Sequence, residues 1–235
     1  MKGVDLVAHE DPSVMQNVTL NPFSLLQRSL ELVGPIYGPL LILASPGFVI
    51  LIVAELIPLL GGILFIVVAP ILGGAALWLV DQHLKRQAPL LGNSLNRAVS
   101  KAVPLVLGTL LEALLSFLAF IFLIIPGIYV RVKLAFTFCA IALENQGTTG
   151  GLRYSWNLVK GRWWGVFWAL LIGDFILGFG VVVLVSRVVA DFGDSVVNVV
   201  RAAAATAVQP IFWVYLVLLF RSLQQLKGQA VSYWG

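Results

Sequence analysis

Four ionisable side chains stand inside long apolar stretches of this 235-residue chain: Glu112, Arg131, Lys133 and Asp174. A charge at the centre of a bilayer costs about 2.5–3.5 kcal/mol on insertion scales, so each must face a partner, a bundle interior or a wet cavity. At 1.5 Å per helical residue, Glu112 lies about 12 Å beyond Pro104 and Asp174 about 17 Å beyond Trp163. Arg131 and Lys133 follow Pro126-Gly127 by a few residues, so their long side chains can reach inward or snorkel outward. Depth alone pairs Asp174 with Lys133 or Arg131. Two chemistries are open: a proton, ion or substrate path using Asp174 and Glu112, or a structural pair or hydrogen-bonded carboxyl.

A second group is basic and aromatic. Arg153, Tyr154, Trp156, Lys160, Arg162, Trp163 and Trp164 fall within twelve residues, and Arg97 and Lys101 occupy a similar earlier segment. Basic residues near a charged leaflet each contribute about 1 kcal/mol of attraction to anionic headgroups. The group reads as ordinary interfacial anchoring, or as specific headgroup or phosphodiester binding. Nothing resembles a nucleophile–base pair, a metal cluster or a phosphate loop. His9 and His83 lie in polar segments, whereas a zinc site needs about three or four ligands. Gly61-Gly62, Gly73-Gly74 and Gly150-Gly151, like Ala202–Ala205, read as close helix packing. No catalytic residue, metal or cofactor is implied.

The elements that must position these groups follow from composition. Hydrophobic residues make up 60% of the chain and charged residues 11%, with mean hydropathy +0.97. Soluble domains carry about 25% charge, so a soluble body of this composition would expose large apolar patches. Soluble enzymes, nucleic-acid-binding modules and disordered chains are excluded, and the pI near 9.4 reflects membrane topology. The single cysteine, Cys139, excludes an intrachain disulfide, and Met1–Thr19 has no apolar core of a cleavable signal peptide.

Six apolar stretches are expected to span the bilayer: roughly Ile36–Ala54, Pro58–Val80, Pro104–Ile125, Ile128–Leu143, Trp163–Val189 and Val196–Phe220. The first and second pairs form tight hairpins, turning at Glu55–Ile57 and at Pro126-Gly127. Pro39, Pro46, Pro70 and Pro210 predict kinks or local unwinding. Three amphipathic segments precede the odd-numbered spans, with Leu26, Leu30 and Val33, then Leu95, Val99 and Ala102, then Leu152, Trp156 and Val159 at i, i+4 and i+7. Nine residues after each leading leucine stands Pro35, Pro104 or Gly161, where the chain turns into the bilayer. Asn21 and Asn93-Ser94 are expected N-caps. The fold class is therefore an all-α polytopic bundle: six transmembrane helices, three interfacial amphipathic helices and a pseudo-threefold repeat. A polar tail (1–20) precedes one transmembrane domain (21–235), with units near 21–88, 89–146 and 147–224.

Lysine and arginine set the orientation. Eleven (Lys2, Arg28, Lys85, Arg86, Arg97, Lys101, Arg153, Lys160, Arg162, Arg221 and Lys227) fall on the interfacial-helix side, against Arg131, Lys133, Arg187 and Arg201 on the other. Glu55, Asp191 and Asp194 add acids to the second side. Both termini are expected in the cytoplasm.

The stretch Ile125-Pro126-Gly127-Ile128-Tyr129-Val130-Arg131-Val132-Lys133, then Leu143-Glu144, then Ser155-Trp156-Asn157-Leu158-Val159-Lys160-Gly161-Arg162-Trp163-Trp164 carries a pattern. It resembles the membrane domain attached to some glycerophosphodiester phosphodiesterases, and related stand-alone six-helix bacterial membrane proteins. The resemblance implies six spans in a bacterial inner membrane. It brings no catalytic site, because hydrolysis in those fusions belongs to a separate soluble barrel domain. The functional expectation is a non-enzymatic accessory or scaffold protein contacting membrane lipids, anionic headgroups among them, or a membrane-protein partner or second copy. The alternative is a small carrier or channel for an ion, lipid or amphiphile using Asp174 and Glu112. A water-accessible cavity lined by Asp174 favours the carrier, and a dry, close-packed interior the accessory role.

Overall fold

The computed structural model describes residues 20–88, 90–189 and 193–232; the expectations placed on Lys2, His9 and Asp191 lie outside them. Among the described residues every regular element is helical. Six stretches are long and apolar enough to cross a membrane: Pro22–Leu56, Pro58–Leu84, Ala102–Ile121, Ile124–Leu143, Trp163–Val188 and Ser195–Gly228.

The first stretch joins an amphipathic helix to a span. α1 (Pro22–Val33) starts where Asn21 accepts the Phe23 amide through Oδ1 at 3.0 Å, with Pro22 in the first turn. Gly34–Ile36 form a 3-10 turn leading into α2 (Tyr37–Leu56), and Ile57 alone separates α2 from α3 (Pro58–Leu84). α4 (Leu91–Ser100) and α5 (Ala102–Phe122) are divided at Lys101, so Pro104 sits in the first turn of α5, where its missing N–H costs little. The second expected cap is not used: Leu90 precedes α4, and Ser94 Oγ donates back to its carbonyl.

The second hairpin turns at Leu123 instead of Pro126-Gly127, which occupy the first turn of α6 (Ile124–Leu134). A side chain at Gly127 would collide with the Phe120 ring, so glycine lets the two arms of this hairpin close. The fourth span is longer than expected because it starts at Ile124, and it is broken at Ala135-Phe136 before α7 (Thr137–Leu143). α8 (Thr148–Val159) repairs the break: Ser155 Oγ donates to the Lys133 carbonyl at 2.8 Å and accepts the Phe136 amide at 3.0 Å. Freed backbone groups at membrane depth need such partners. Gly161, at φ +87°, makes the turn into α9 (Trp163–Gly173). A π-helical segment, Asp174–Gly180, follows, and then α10 (Val181–Val188) and the long α11 (Asp194–Ser232). Pro46, Pro70 and Pro210 each lie inside a helix and remove one donor from its ladder.

Packing follows a threefold order. α4 rests on α3, α8 on α7, and α1 on α11, while the hairpins α2–α3, α5–α6 and α10–α11 are closed by contacts of α3 with α5, α6 with α9 and α11 with α2. The interfacial helices keep a common register; Val33 and Val159 are buried as expected, but at the first two positions of each triplet the buried residue stands one place earlier. The buried residues are Leu25, Ser29 and Val33; Ser94 and Ala98; and Gly151, Ser155, Leu158 and Val159. The middle residues of the expected triplets, Leu30, Val99 and Trp156, are exposed by 53%, 56% and 39%. Lipid is as apolar as leucine, so small residues mark the close helix contacts while larger ones face outward.

Candidate functional site

The core is not filled evenly along the bundle. Toward the interfacial helices, Leu77, Leu79, Val80, Ile141, Val217, Leu219, Phe220 and Leu223 are wholly buried. Toward the hairpin turns, residues of all six spans line a half-open chamber of about 940 Å³. Its wall includes Gly47 of α2, Ala69 and Pro70 of α3, Thr109 and Ala113 of α5, Arg131 and Val132 of α6, Leu170 and Leu171 of α9, and Thr206 and Gln209 of α11. The size is near the upper end of small-molecule cavities, about 300–1,000 Å³. The interior is thus neither dry-packed throughout nor a narrow pore.

Three of the four intramembrane charges line this chamber. Arg131 Nη1 donates to Glu112 Oε1 at 2.8 Å, with the Glu112 side chain 11% exposed and that of Arg131 62%. The pairing of Asp174 with Lys133 or Arg131 that depth suggested is therefore replaced by Arg131 with Glu112. These two side chains lie on neighbouring antiparallel helices, Glu112 eleven residues before their shared turn at Leu123 and Arg131 eight after it, an offset the long arginine side chain spans. That count from the turn is the signal that identifies the pair. Asp174 opens the π-helical segment and reaches the chamber with no cation within ion-pair distance among the described residues. Segments of this kind occur often at functional sites. Its neighbour Gly173 leaves room for the Tyr215 ring, and Tyr215 donates its hydroxyl to the Ala169 carbonyl at 2.6 Å. Thr109, Thr206 and Gln209 complete the polar wall, and sequence reading did not single them out. One turn from Glu112, Ser116 Oγ is buried without a hydrogen-bond partner.

Lys133 does not join the chamber. It is buried against α8, its Nζ lying 5.6 Å from the Tyr129 ring centroid and 5.5 Å from that of Trp156. Tyr129 stacks on Trp163 at 5.8 Å, and Trp163 stacks on Phe167 at 5.1 Å. The expected basic and aromatic belt is therefore an ordered aromatic wall, with Trp164 at its exposed edge. Arg153, Lys160 and Arg162 are exposed beside it. Arg97 is exposed too, and its guanidinium lies 5.8 Å from the Trp78 ring centroid. Lys101 turns inward and donates to the Ile141 carbonyl at 3.3 Å; burial, with Arg97 nearby, holds its ammonium below the usual lysine range.

A further polar cluster closes the interfacial-helix end. Arg221 donates through Nε to Asp81 at 2.8 Å and through Nη1 to Glu144 and Gln224. Gln224 donates to Glu144 and to the Tyr154 hydroxyl, and Lys85 pairs with Asp81 at 2.7 Å. Tyr154, expected at the headgroups, thus belongs to this network. Asp81, Glu144 and Arg221 stand at or near the interfacial ends of the second, fourth and sixth spans. They occupy corresponding places in the three units, and that correspondence is the sequence signal that marks them as a set. Among the described residues, no group of three His, Cys, Asp or Glu side chains is placed to hold a metal ion. Comparison with protein-family models, curated proteins and solved structures yields no match.

Proposed function

We propose that this multi-pass membrane protein binds and transfers an amphiphilic molecule through its central chamber. The observation that carries this reading is the chamber itself: a large apolar cavity bounded by every span, with Glu112, Arg131, Asp174, Thr109, Thr206 and Gln209 on its wall. Apolar pockets with a few convergent polar groups are the usual form of a small-molecule site. Glu112 and Arg131 satisfy each other, leaving the Asp174 carboxyl as the group available to a ligand. The preferred ligand therefore has an apolar body and a cationic or hydrogen-bond-donating head. Carboxyls, a guanidinium, an amide and hydroxyls suit binding and counter-charge, and the reading is of a carrier without covalent chemistry.

The excess of lysine and arginine supports placing the interfacial helices and both termini on the cytoplasmic side. The chamber then lies toward the opposite leaflet. The resemblance over residues 124–164 supports a bacterial inner membrane.

Binding of a dansyl-labelled alkylammonium to purified protein, followed by energy transfer from tryptophan, tests the proposal, since Trp213 lines the chamber. Wild type should bind saturably. Asp174→Asn should bind at least about tenfold more weakly, the loss expected when one side of a desolvated charge pair is removed, while its resistance to unfolding stays unchanged. Equal binding by both proteins, or equal binding of a dansyl alkylsulfonate, would return Asp174 to a structural role and favour the accessory reading.

A further inference from the structure

The Trp213 side chain lines the chamber and is 8% exposed, yet its indole N–H has no acceptor among the described residues. Among the described side-chain atoms that are wholly enclosed, Ser116 Oγ alone lacks a partner, so Trp213 Nε1 is not sealed into the core. It faces the open volume. Gly73 of α3 keeps that volume open: a Cβ there would stand 3.9 Å from Trp213 Nε1 and 3.2 Å from the Phe138 ring. Gln209, one turn earlier on α11, also lines the chamber, and its amide has no partner among the described residues. Depth brings this pair level with Asp174. α9 and α11 run antiparallel, and the Tyr215 ring packs at Gly173; Asp174 stands one residue and Trp213 two residues from that contact, both toward the hairpin turns. The two therefore lie within one helical turn, about 5 Å, of the same depth.

We infer that the chamber selects an amphiphile whose head joins an ammonium to an uncharged oxygen acceptor, the class of long-chain amino alcohols, and that Trp213 reads the oxygen. The inference rests on the chamber being a ligand site, and it adds a second point of recognition to Asp174. An indole is a donor only, so an oxygen with lone pairs satisfies it, whereas a bare alkyl chain leaves it unpaired in an apolar wall. The Gln209 amide is both donor and acceptor, and it suits the other side of a hydroxyl. An oxyanion fits the wall less well, because the Arg131 guanidinium already holds Glu112 at 2.8 Å and Asp174 adds negative charge. Sites built to bond a polar atom discriminate strongly against analogues that lack it.

Displacement of a dansyl-labelled alkylammonium from protein in nanodiscs, read by direct dansyl excitation, tests this with two competitors, dodecylamine and its β-hydroxy derivative. The preference of wild type for the amino alcohol over dodecylamine should exceed that of Trp213→Phe about fivefold, the net value of one hydrogen bond. Comparing the two proteins cancels any difference in how the competitors enter the lipid. Dodecylamine itself should compete equally with both proteins, which a general loss of structure around Trp213 would not allow. Gly73→Ala, which sets a methyl group beside the indole N–H, should narrow the preference in the same direction, and it carries the test if Trp213→Phe does not fold. The same preference in wild type and Trp213→Phe, with dodecylamine binding saturably to each, would overturn this inference and leave the chamber reading standing. Failure of both competitors to displace the label from wild type would overturn both.

Discussion

The two ends of this bundle handle charge in opposite ways. At the interfacial-helix end, Arg221, Asp81, Glu144, Gln224 and Tyr154 form a closed network above a fully buried apolar core. At the hairpin end, Glu112, Arg131 and Asp174 stand around open volume. Helices in lipid gain little from apolar burial alone, so cohesion must come from close contacts of small residues and from polar bonds between helices. The interfacial-helix end carries the larger charged network, while at the hairpin end the arms close at Gly61 and Gly127, and Asn198 and Arg201 donate to Glu55 and Ser186. Ser29, Ser94 and Ser155 let the interfacial helices sit tightly on the spans, and the arginine network ties the second, fourth and sixth spans together. The other end is thereby free to enclose a space without the bundle coming apart.

The largest effect expected from this contrast is at Arg221. Arg221→Met strips Glu144 of its cation and leaves buried Asp81 with Lys85 alone, and breaking such a buried arrangement costs about 3–5 kcal/mol. Unfolding by sodium dodecyl sulfate in mixed micelles should show the loss; a change below about 1 kcal/mol would mean the network is not what holds this end. Ser155→Ala comes next. It removes the donor to Lys133 and the acceptor for Phe136 at the break in the fourth span, at a cost of about 1–3 kcal/mol on the same assay. Glu112→Gln should be mildest, at no more than about 1 kcal/mol, because the Arg131 guanidinium it abandons is largely exposed toward the chamber. A loss as large as that of Arg221→Met would make the Glu112–Arg131 pair a second clamp and erase the contrast.

The number of spans, the three amphipathic segments and their common register were legible because they rest on long periodic patterns. The buried faces of those segments were not, since in a membrane apolar character does not distinguish the interior from lipid. Leu30 and Val99 point outward while Ser29 and Ala98 are covered. Sequence position singled out Asp174 and Glu112, and the chamber brings both onto its wall. Depth could not choose partners; the hairpin of α5 and α6 is what brings Arg131 to Glu112 at 2.8 Å. The π-helical segment had a faint signature in Gly173, Gly178 and Gly180, which weaken the regular ladder just where Asp174 begins it. The setting of Lys133 was hidden for another reason: the Tyr129 and Trp156 rings that hold it come from two different helices.

The central claim is that the hairpin end holds an accessible chamber while the interfacial-helix end is closed. Cysteine labelling tests it most directly, in a Cys139→Ala background, with a small water-soluble thiosulfonate applied to protein in nanodiscs. Ala113→Cys places the thiol on the chamber wall, and Ala76→Cys places it in the fully buried core. The account predicts fast modification at position 113, slowed by the alkylammonium ligand, and none at position 76. Equal inertness at the two positions, or labelling at 113 that the ligand does not slow, would contradict it.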